Sequence, residues 1–391
     1  MFKRVRYYIF LRDVMVLAVT AFGGPQAHIA MFLDTLVAKR GYLSEEDLIE
    51  LNALCQVLPG PTSTQTITAI GYRLGGPNLA FLTLLIWMIP AVTIMTIAAI
   101  TISNLQEQDI SIEFTKFIQP MAVGFVAYAA MKITMKVVKS KTAVILMILS
   151  MLAALFYPSP YLFPIILVVA GLISSGKYKA QPIEEKSVIK IEWANFILWA
   201  GVFVLAAVLG GVTKYLPLRL FENFYRNGSL IFGGGQVLIP FLYTEFVEYK
   251  GYLSSEEFLS GYALMQSLPG PVFSFCAYVG SLSMRSFGLG GEVIGALAGA
   301  FGIFLPGVFL IFFVIRFWDG LKKYRRVKAS LEGINAASSG MVISAAVLMF
   351  LPLEPNYINF GITIGTFLIL TFTKLPAPVL IIIGLLAGIL I

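Results

Sequence analysis

The segment 22–61 of this chain recurs at 232–271 with a constant offset of 210 residues and no gap, and 18 of its 40 positions are identical. Compositional bias alone would give only a few matches over that length. The identities include Phe22-Gly23-Gly24 with Gln26 against Phe232-Gly233-Gly234 with Gln236, and Gly41-Tyr42-Leu43-Ser44 against Gly251-Tyr252-Leu253-Ser254. They end on Leu58-Pro59-Gly60-Pro61 against Leu268-Pro269-Gly270-Pro271. The chain is a tandem duplication, so whatever fold one copy takes the other must also be able to take.

Which folds are open is decided by composition. With 58% hydrophobic and 13% charged residues and a mean hydropathy of +0.85, the chain has too little polar surface to solvate a globule of 391 residues. It reads as an all-α polytopic membrane protein. Apolar runs long enough to cross a hydrocarbon core of about 30 Å lie at 79–102, 114–135, 194–212, 293–315 and around 341–351. The net charge of +7 sits in short loops beside these runs rather than on one face, which points to orientation in a bilayer and away from nucleic acid. Cys55 and Cys276 stand in apolar surroundings and offer no disulfide framework or metal spacing. Lys3, Arg4 and Arg6 precede Arg12 and Asp13 with no small-residue cleavage site, so no removed signal peptide is expected.

Three regions follow: a first repeat over 1–174, a polar linker with an extra transmembrane helix over 175–213, and a second repeat over 214–391. Each repeat has two Gly/Pro-interrupted segments (8–39 and 45–74; 218–249 and 255–287). Two long helices come next (77–102 and 114–138; 290–316 and 329–350), then two short ones of about 15 residues. The loop after the first long helix is acidic in copy one (Glu107, Asp109, Glu113) and basic in copy two (Arg316, Lys322, Lys323, Arg325, Arg326, Lys328). The next loop reverses the pattern, with Lys132, Lys136, Lys139 and Lys141 against Glu354. The positive-inside rule then sets equivalent loops on opposite sides, and the extra helix supplies the odd crossing. The expectation is two inverted-topology repeats with about 13 membrane segments, the N-terminus cytoplasmic and the C-terminus outside; the broken segments either cross or re-enter with the same parity.

Gly23-Gly24-Pro25 and Pro59-Gly60-Pro61 mark points where one helix stops and another starts, since Gly permits the reversal and Pro loses nothing in a first turn. Inside a bilayer such unwound backbone survives only in protein or beside a polar cavity. Helices starting there would aim free N–H groups and their positive dipole ends at that cavity, which suits an anion. In copy one the second start reads Pro61-Thr62-Ser63-Thr64-Gln65, rich in donors; copy two reads Pro271-Val272-Phe273-Ser274-Phe275 and is poorer. Gln26, Gln56, Gln236 and Gln266 fall beside the four breaks, with Asn52 one turn before Gln56. They either coordinate a dianion or merely cap loose backbone. His28, the one histidine, follows the first break by a turn and either serves the anion, carries a coupling proton, or is structural. Arg73 and Arg285 either attract anions or anchor at the interface. Asp34 and Glu245 stand one residue out of repeat register, and proton coupling through them or Lys132 is a weaker option. The expected substrate site comprises Gly23, Gly24, Pro25, Gln26, His28, Gln56, Gly60, Pro61, Thr62, Ser63 and Thr64 of copy one. From copy two it takes Gly234, Gly235, Gln236, Gln266, Gly270, Pro271 and Ser274.

Phe22-Gly23-Gly24-Pro25-Gln26-Ala27-His28-Ile29-Ala30 together with Leu58-Pro59-Gly60-Pro61 resembles the chromate ion transporter family in its long, two-domain form, over nearly the full chain. The resemblance implies an inner-membrane carrier that exports chromate, driven by the proton motive force, with sulfate as the structural analogue. No cofactor and no metal are expected. Gly23, Gly24, Pro25, His28, Pro59, Gly60 and Pro61 match the family pattern in copy one, and Gly233, Gly234, Pro269, Gly270 and Pro271 in copy two. Copy two departs at Gly235, where copy one has Pro25, and at Leu238, where it has His28.

The expected partners are therefore a chromate or sulfate-like oxyanion, the lipid bilayer and a proton as coupling ion, with a homodimer left open. An anion channel is the first rival, because glycine-broken helices also line pores. An enzyme is disfavoured by the lack of HExxH, CxxC or a nucleotide-binding glycine loop, and an ATP-driven pump by the lack of GxxxxGK[ST].

Overall fold

A computed structural model describes residues 2–107, 116–177, 192–232, 235–321, 324–373 and 375–390. The described residues are helical throughout, with no strand. Five helices are long and apolar enough to cross a membrane: Thr62–Gln106, Ile118–Val137, Ala194–Thr213, Arg285–Val314 and Arg325–Phe350. Shorter apolar helices accompany them. The acidic loop with Asp109 and Glu113, the polar linker over 178–191, Gly233, Gly234, Lys322 and Lys323 lie outside the described residues, as do the side chains of Gln26, Glu107 and Gln236.

The chain forms two compact units, each drawn from both repeats. Unit 1 comprises residues 1–110, 193–235 and 264–315. It holds α1 (Phe2–Thr20), α2 (Gly24–Phe32), a π-helix (Leu33–Lys39), α3 (Glu45–Val57) and α4 (Thr62–Glu107). From farther along the chain come α8 (Ala194–Thr213), α9 (Leu216–Leu230), α12 (Phe275–Leu282) and α13 (Gly288–Val314). The first helix begins at Phe2, earlier than the expected position 8. Unit 2 comprises residues 111–192, 236–263 and 316–391. In it α5 (Ile118–Val137), α6 (Lys141–Phe156) and α7 (Leu162–Ser175) surround α15 (Arg325–Phe350), joined by α16 (Tyr357–Phe372) and α17 (Ala377–Leu390). Most of α10 (Gly235–Leu242), a second π-helix (Tyr243–Tyr249) and most of α11 (Ser255–Gln266) also belong to unit 2, as does the short α14 (Trp318–Leu321).

The duplication is visible in local backbone. The two π-helices differ by 210 residues, as do Gly41 and Gly251 after them (φ 59° and 61°). Ser44 and Ser254 then cap the next helix, each accepting from the backbone N–H three residues on. Gly76 (φ 73°, ψ −165°) breaks α4 before Pro77, and Gly288 (φ 67°, ψ −170°) starts α13 in the same conformation. Pro90 and Pro306 lie inside the helices that follow; copy two has four more residues before its proline, about one turn, so the proline keeps its face.

Within each unit small residues let helices touch backbone to backbone, which is how apolar helices associate where lipid offers no hydrophobic drive. A Cβ on Gly280 would sit 2.2 Å from the Gly295 carbonyl oxygen, and one on Gly299 would sit 2.1 Å from that of Cys276, which joins α12 to α13. In unit 2 a Cβ on Gly340 of α15 would lie 2.1 Å from the Met147 oxygen of α6. Gly280→Ala is expected to destabilise the protein by about 1–3 kcal/mol through forced separation of α12 and α13. Gly361→Ala, with nothing within 4 Å of the new methyl, should be neutral. Melting curves in detergent showing equal midpoints for the two variants would contradict the packing described.

Candidate functional site

Unit 1 gathers the helix starts that follow the Gly/Pro breaks. After α1 the chain reverses through Gly23 (φ 93°) and Gly24 (φ 77°), and α2 opens with Pro25 in its first turn and no side-chain cap. After α3 it turns through Pro59-Gly60-Pro61, with Gly60 at φ 118°, and α4 opens at Thr62. In copy two α10 opens at Gly235, and Gly270 takes φ 97° before Pro271. The segment beyond Pro271 departs from expectation: Val272–Ser274 is a 3-10 turn, and the α-helix begins only at Phe275. Pro25, Pro61, Thr62, Ser63, Thr64, Gly235, Pro271, Val272 and Phe273 line one small cavity. It leaves about 10 Å³ for the centre of a water-sized sphere, room for about one water. The first bond within α4 is from Gln65 N–H to Pro61 O at 2.8 Å. The N–H groups of Thr62 to Thr64 therefore have no partner in the helix, and the positive end of its dipole lies at the cavity wall.

Two backbone hydrogen bonds tie the breaks of the two copies together. Gly60 N–H donates to Ile231 O at 2.7 Å, and Gly270 N–H donates to Ala21 O at 2.9 Å. Each residue of the second bond is the counterpart, 210 positions away, of one in the first. A contact that is its own image under exchange of copies is the mark of a local two-fold relation.

Side chains break that symmetry in favour of copy one. His28 is buried, with Nε2 3.1 Å from Ala21 O and Nδ1 3.0 Å from Ser63 Oγ. A carbonyl only accepts, so Nε2 carries the proton; in the neutral ring Nδ1 then accepts from the Ser63 hydroxyl. The ring packs edge-on to Trp87, whose Nε1–H donates to Thr64 Oγ1 at 3.1 Å. Gln65, fully buried, donates from Nε2 to Pro59 O at 2.7 Å, which braces the turn, while its Oε1 has no hydrogen-bond partner among the described residues. Gly60 and Gly307 clear the space: a Cβ on either would come within 2.9 Å or 2.8 Å of Gln65 Nε2.

Of the other expected site residues, Gly60 and Gly270 form the turns behind the cavity wall, and Ser274 is buried in the 3-10 turn. Gln56 is exposed and Gln266 half-buried, and neither lines the cavity. Arg73 is ion-paired to Asp47 at 2.6 Å, and Arg285 reaches Gln106 at 3.4 Å. Asp34 and Glu245 pair with Lys39 and Lys250, five residues on, across the two π-helices. Sequence reading passed over Trp87 and the carbonyls of Ala21 and Ile231, since neither an apolar-helix tryptophan nor a backbone oxygen carries any local signal of its partner.

Gly60→Ala and Gly270→Ala are each expected to cost about 1–3 kcal/mol, because both positions need a left-handed backbone. Gly201→Ala, helical and open, should not destabilise. Unchanged melting midpoints for the first two would show that the crossed bonds do not hold the fold.

The model of the chromate transporter family matches residues 9–175 and 218–389 of the chain. A probable chromate transport protein of Synechococcus elongatus is 25% identical over 96% of this chain and 93% of its own length. A chromate transport protein of Pseudomonas aeruginosa is 28% identical over 82% of this chain and 76% of its own. An uncharacterised transporter of Methanocaldococcus jannaschii is 24% identical over 96% and 92%. No solved structure matches.

Proposed function

The chain belongs to the chromate transporter family, and from that premise we propose that it is a secondary active carrier which exports chromate across the plasma membrane by alternating access. As a member it is a multi-pass membrane transporter and not an enzyme. The observation that carries the site is the convergence of helix starts from both repeats on one cavity. Three of the lining residues, Thr62, Ser63 and Thr64, bring hydroxyls and free N–H groups, the donors a tetrahedral oxyanion needs. The Thr62 hydroxyl makes no hydrogen bond among the described residues, and Thr64 Oγ1 accepts from Trp87 and keeps its own proton to give. Neutral donors and helix dipoles can hold a dianion without trapping it. Gly23, Gly24, Pro25, Gly60 and Pro61, with Gly235, Gly270 and Pro271, supply backbone; Gly234, Gln26, His28, Gln56, Gln236, Gln266 and Ser274 complete the proposed set.

Room for about one water means that this state is closed to chromate, so substrate entry requires the helix starts to part. The crossed bonds between Gly60 and Ile231 and between Gly270 and Ala21 support repeats 1–174 and 214–391 related by a two-fold axis. The opposed loop charges favour an axis in the membrane plane: inverted repeats of about 13 segments, the N-terminus cytoplasmic and the C-terminus outside. Sulfate is the alternative substrate, since it shares the charge and tetrahedral shape.

Uptake of labelled chromate into inside-out vesicles, with and without excess sulfate, tests the site. Alanine at Thr62, Ser63 and Thr64 together is expected to weaken apparent affinity at least tenfold, each lost bond to a charged ligand being worth about 1.5–3 kcal/mol. Gly361→Ala, open and outside the proposed set, should transport like the parent. Full activity and affinity in the triple variant would remove the site from this cavity, and non-saturating flux that ignores ion gradients would identify a channel instead.

A further inference from the structure

We propose that His28 and Ser63 form a proton-controlled donor switch, so that an oxyanion and a proton bind this cavity together. The inference rests on the oxyanion reading above. Nε2 faces a carbonyl oxygen and is protonated in every state. With the ring neutral, Nδ1 has only a lone pair toward Ser63 Oγ, and the serine spends its single proton on the ring. Ser63 then shows the cavity lone pairs, which repel an anion. A proton taken from water onto Nδ1 reverses the bond: Nδ1–H donates to Oγ, and the hydroxyl proton rotates toward the oxyanion. No bond to a heavy atom breaks, and the 3.0 Å and 3.1 Å separations serve both states.

The surroundings make the two ligands interdependent. The ring packs on Phe32 and Trp87, and no charged side chain pairs with it among the described residues. On the elements packed against α2, Asp34 and Lys39 of the π-helix pair with each other, while on α4 Arg73 is paired to Asp47 and Tyr72 stacks on Phe312. A buried imidazolium without a counter-charge is unfavourable, and so is a dianion without one; each supplies what the other lacks. Moving together they carry one net negative charge, so an inside-negative potential still favours exit. Copy two cannot do this, because Leu238 and Phe273 stand at the equivalent positions.

The chain has one histidine, so selective ¹⁵N-histidine labelling of the full chain in lipid reads this ring alone. Without anion, near neutral pH, the Nε2–H tautomer is expected; saturating sulfate or chromate at the same pH should convert it to the doubly protonated ring. Calorimetry in buffers of different ionisation enthalpy should register uptake of about one proton per anion. Ser63→Ala should weaken binding roughly ten- to a hundredfold and reduce that uptake, and His28→Gln should make affinity independent of pH over the range in which the parent varies. A ring that stays neutral with anion bound, or a pH dependence unchanged in His28→Gln, overturns the switch and leaves the carrier reading standing. Failure of the parent to bind either oxyanion overturns the carrier reading and the switch with it.

Discussion

Two crossed hydrogen bonds, from Gly60 N–H to Ile231 O and from Gly270 N–H to Ala21 O, make the rest of unit 1 intelligible. Each break in a membrane helix exposes backbone groups that hydrocarbon cannot satisfy. Here the donor freed by one copy's second break meets the acceptor freed by the other copy's first. Neither repeat can close its own account, which is why segments 171 and 249 residues apart in sequence must assemble before either break is stable. Interdependence of this kind selects for duplication with the spacing of the two breaks conserved, and the offset of 210 over forty ungapped positions is what that requirement leaves in the sequence.

Backbone symmetry then frees the side chains to diverge. The glycine conformations, π-helices and caps recur, yet the positions of Thr62, Ser63 and Gln65 in copy one are held by Val272, Phe273 and Phe275 in copy two, and that of His28 by Leu238. One half keeps the polar donors and the other provides apolar wall. For the dianion proposed above, donors on every side would bind too tightly for release, whereas donors on one side and aromatic wall on the other would orient it with less depth. The same asymmetry explains Gln65, whose amide braces the Pro59 carbonyl of the donor-bearing turn, while the counterpart turn relies on packing.

How much of this was legible depended on whether the signal was local. Gly/Pro breaks, the small-hydroxyl run at 62–64 and the apolar spans are properties of contiguous residues, and each reappears as a helix start, a cavity lining or a crossing helix. Asp34 and Glu245 looked out of register because attention fell on the acids alone. Their lysines shift by the same one residue, so the spacing of five that a π-helix closes is kept in both copies. Gln56 matched its repeat partner and yet is exposed and does not line the cavity; identity between copies reports a shared environment, not by itself a ligand. The His28–Ser63 bond spans 35 residues, and no periodicity encodes it.

Closure of the cavity also bears on how it could open. A buried backbone N–H deprived of its acceptor costs about 1–3 kcal/mol, so losing both crossed bonds at once in a dry interior costs about 2–6 kcal/mol, as much as or more than the few kcal/mol that separate working conformations. Losing one while water takes its place is affordable, and the two bonds are equivalent by exchange of copies. If that exchange axis lies in the membrane plane, the water that replaces one bond enters from one side and the water that replaces the other enters from the opposite side. The proposed alternation would then need no hinge of its own: two equivalent weak points, of which hydration relieves one at a time, would produce it.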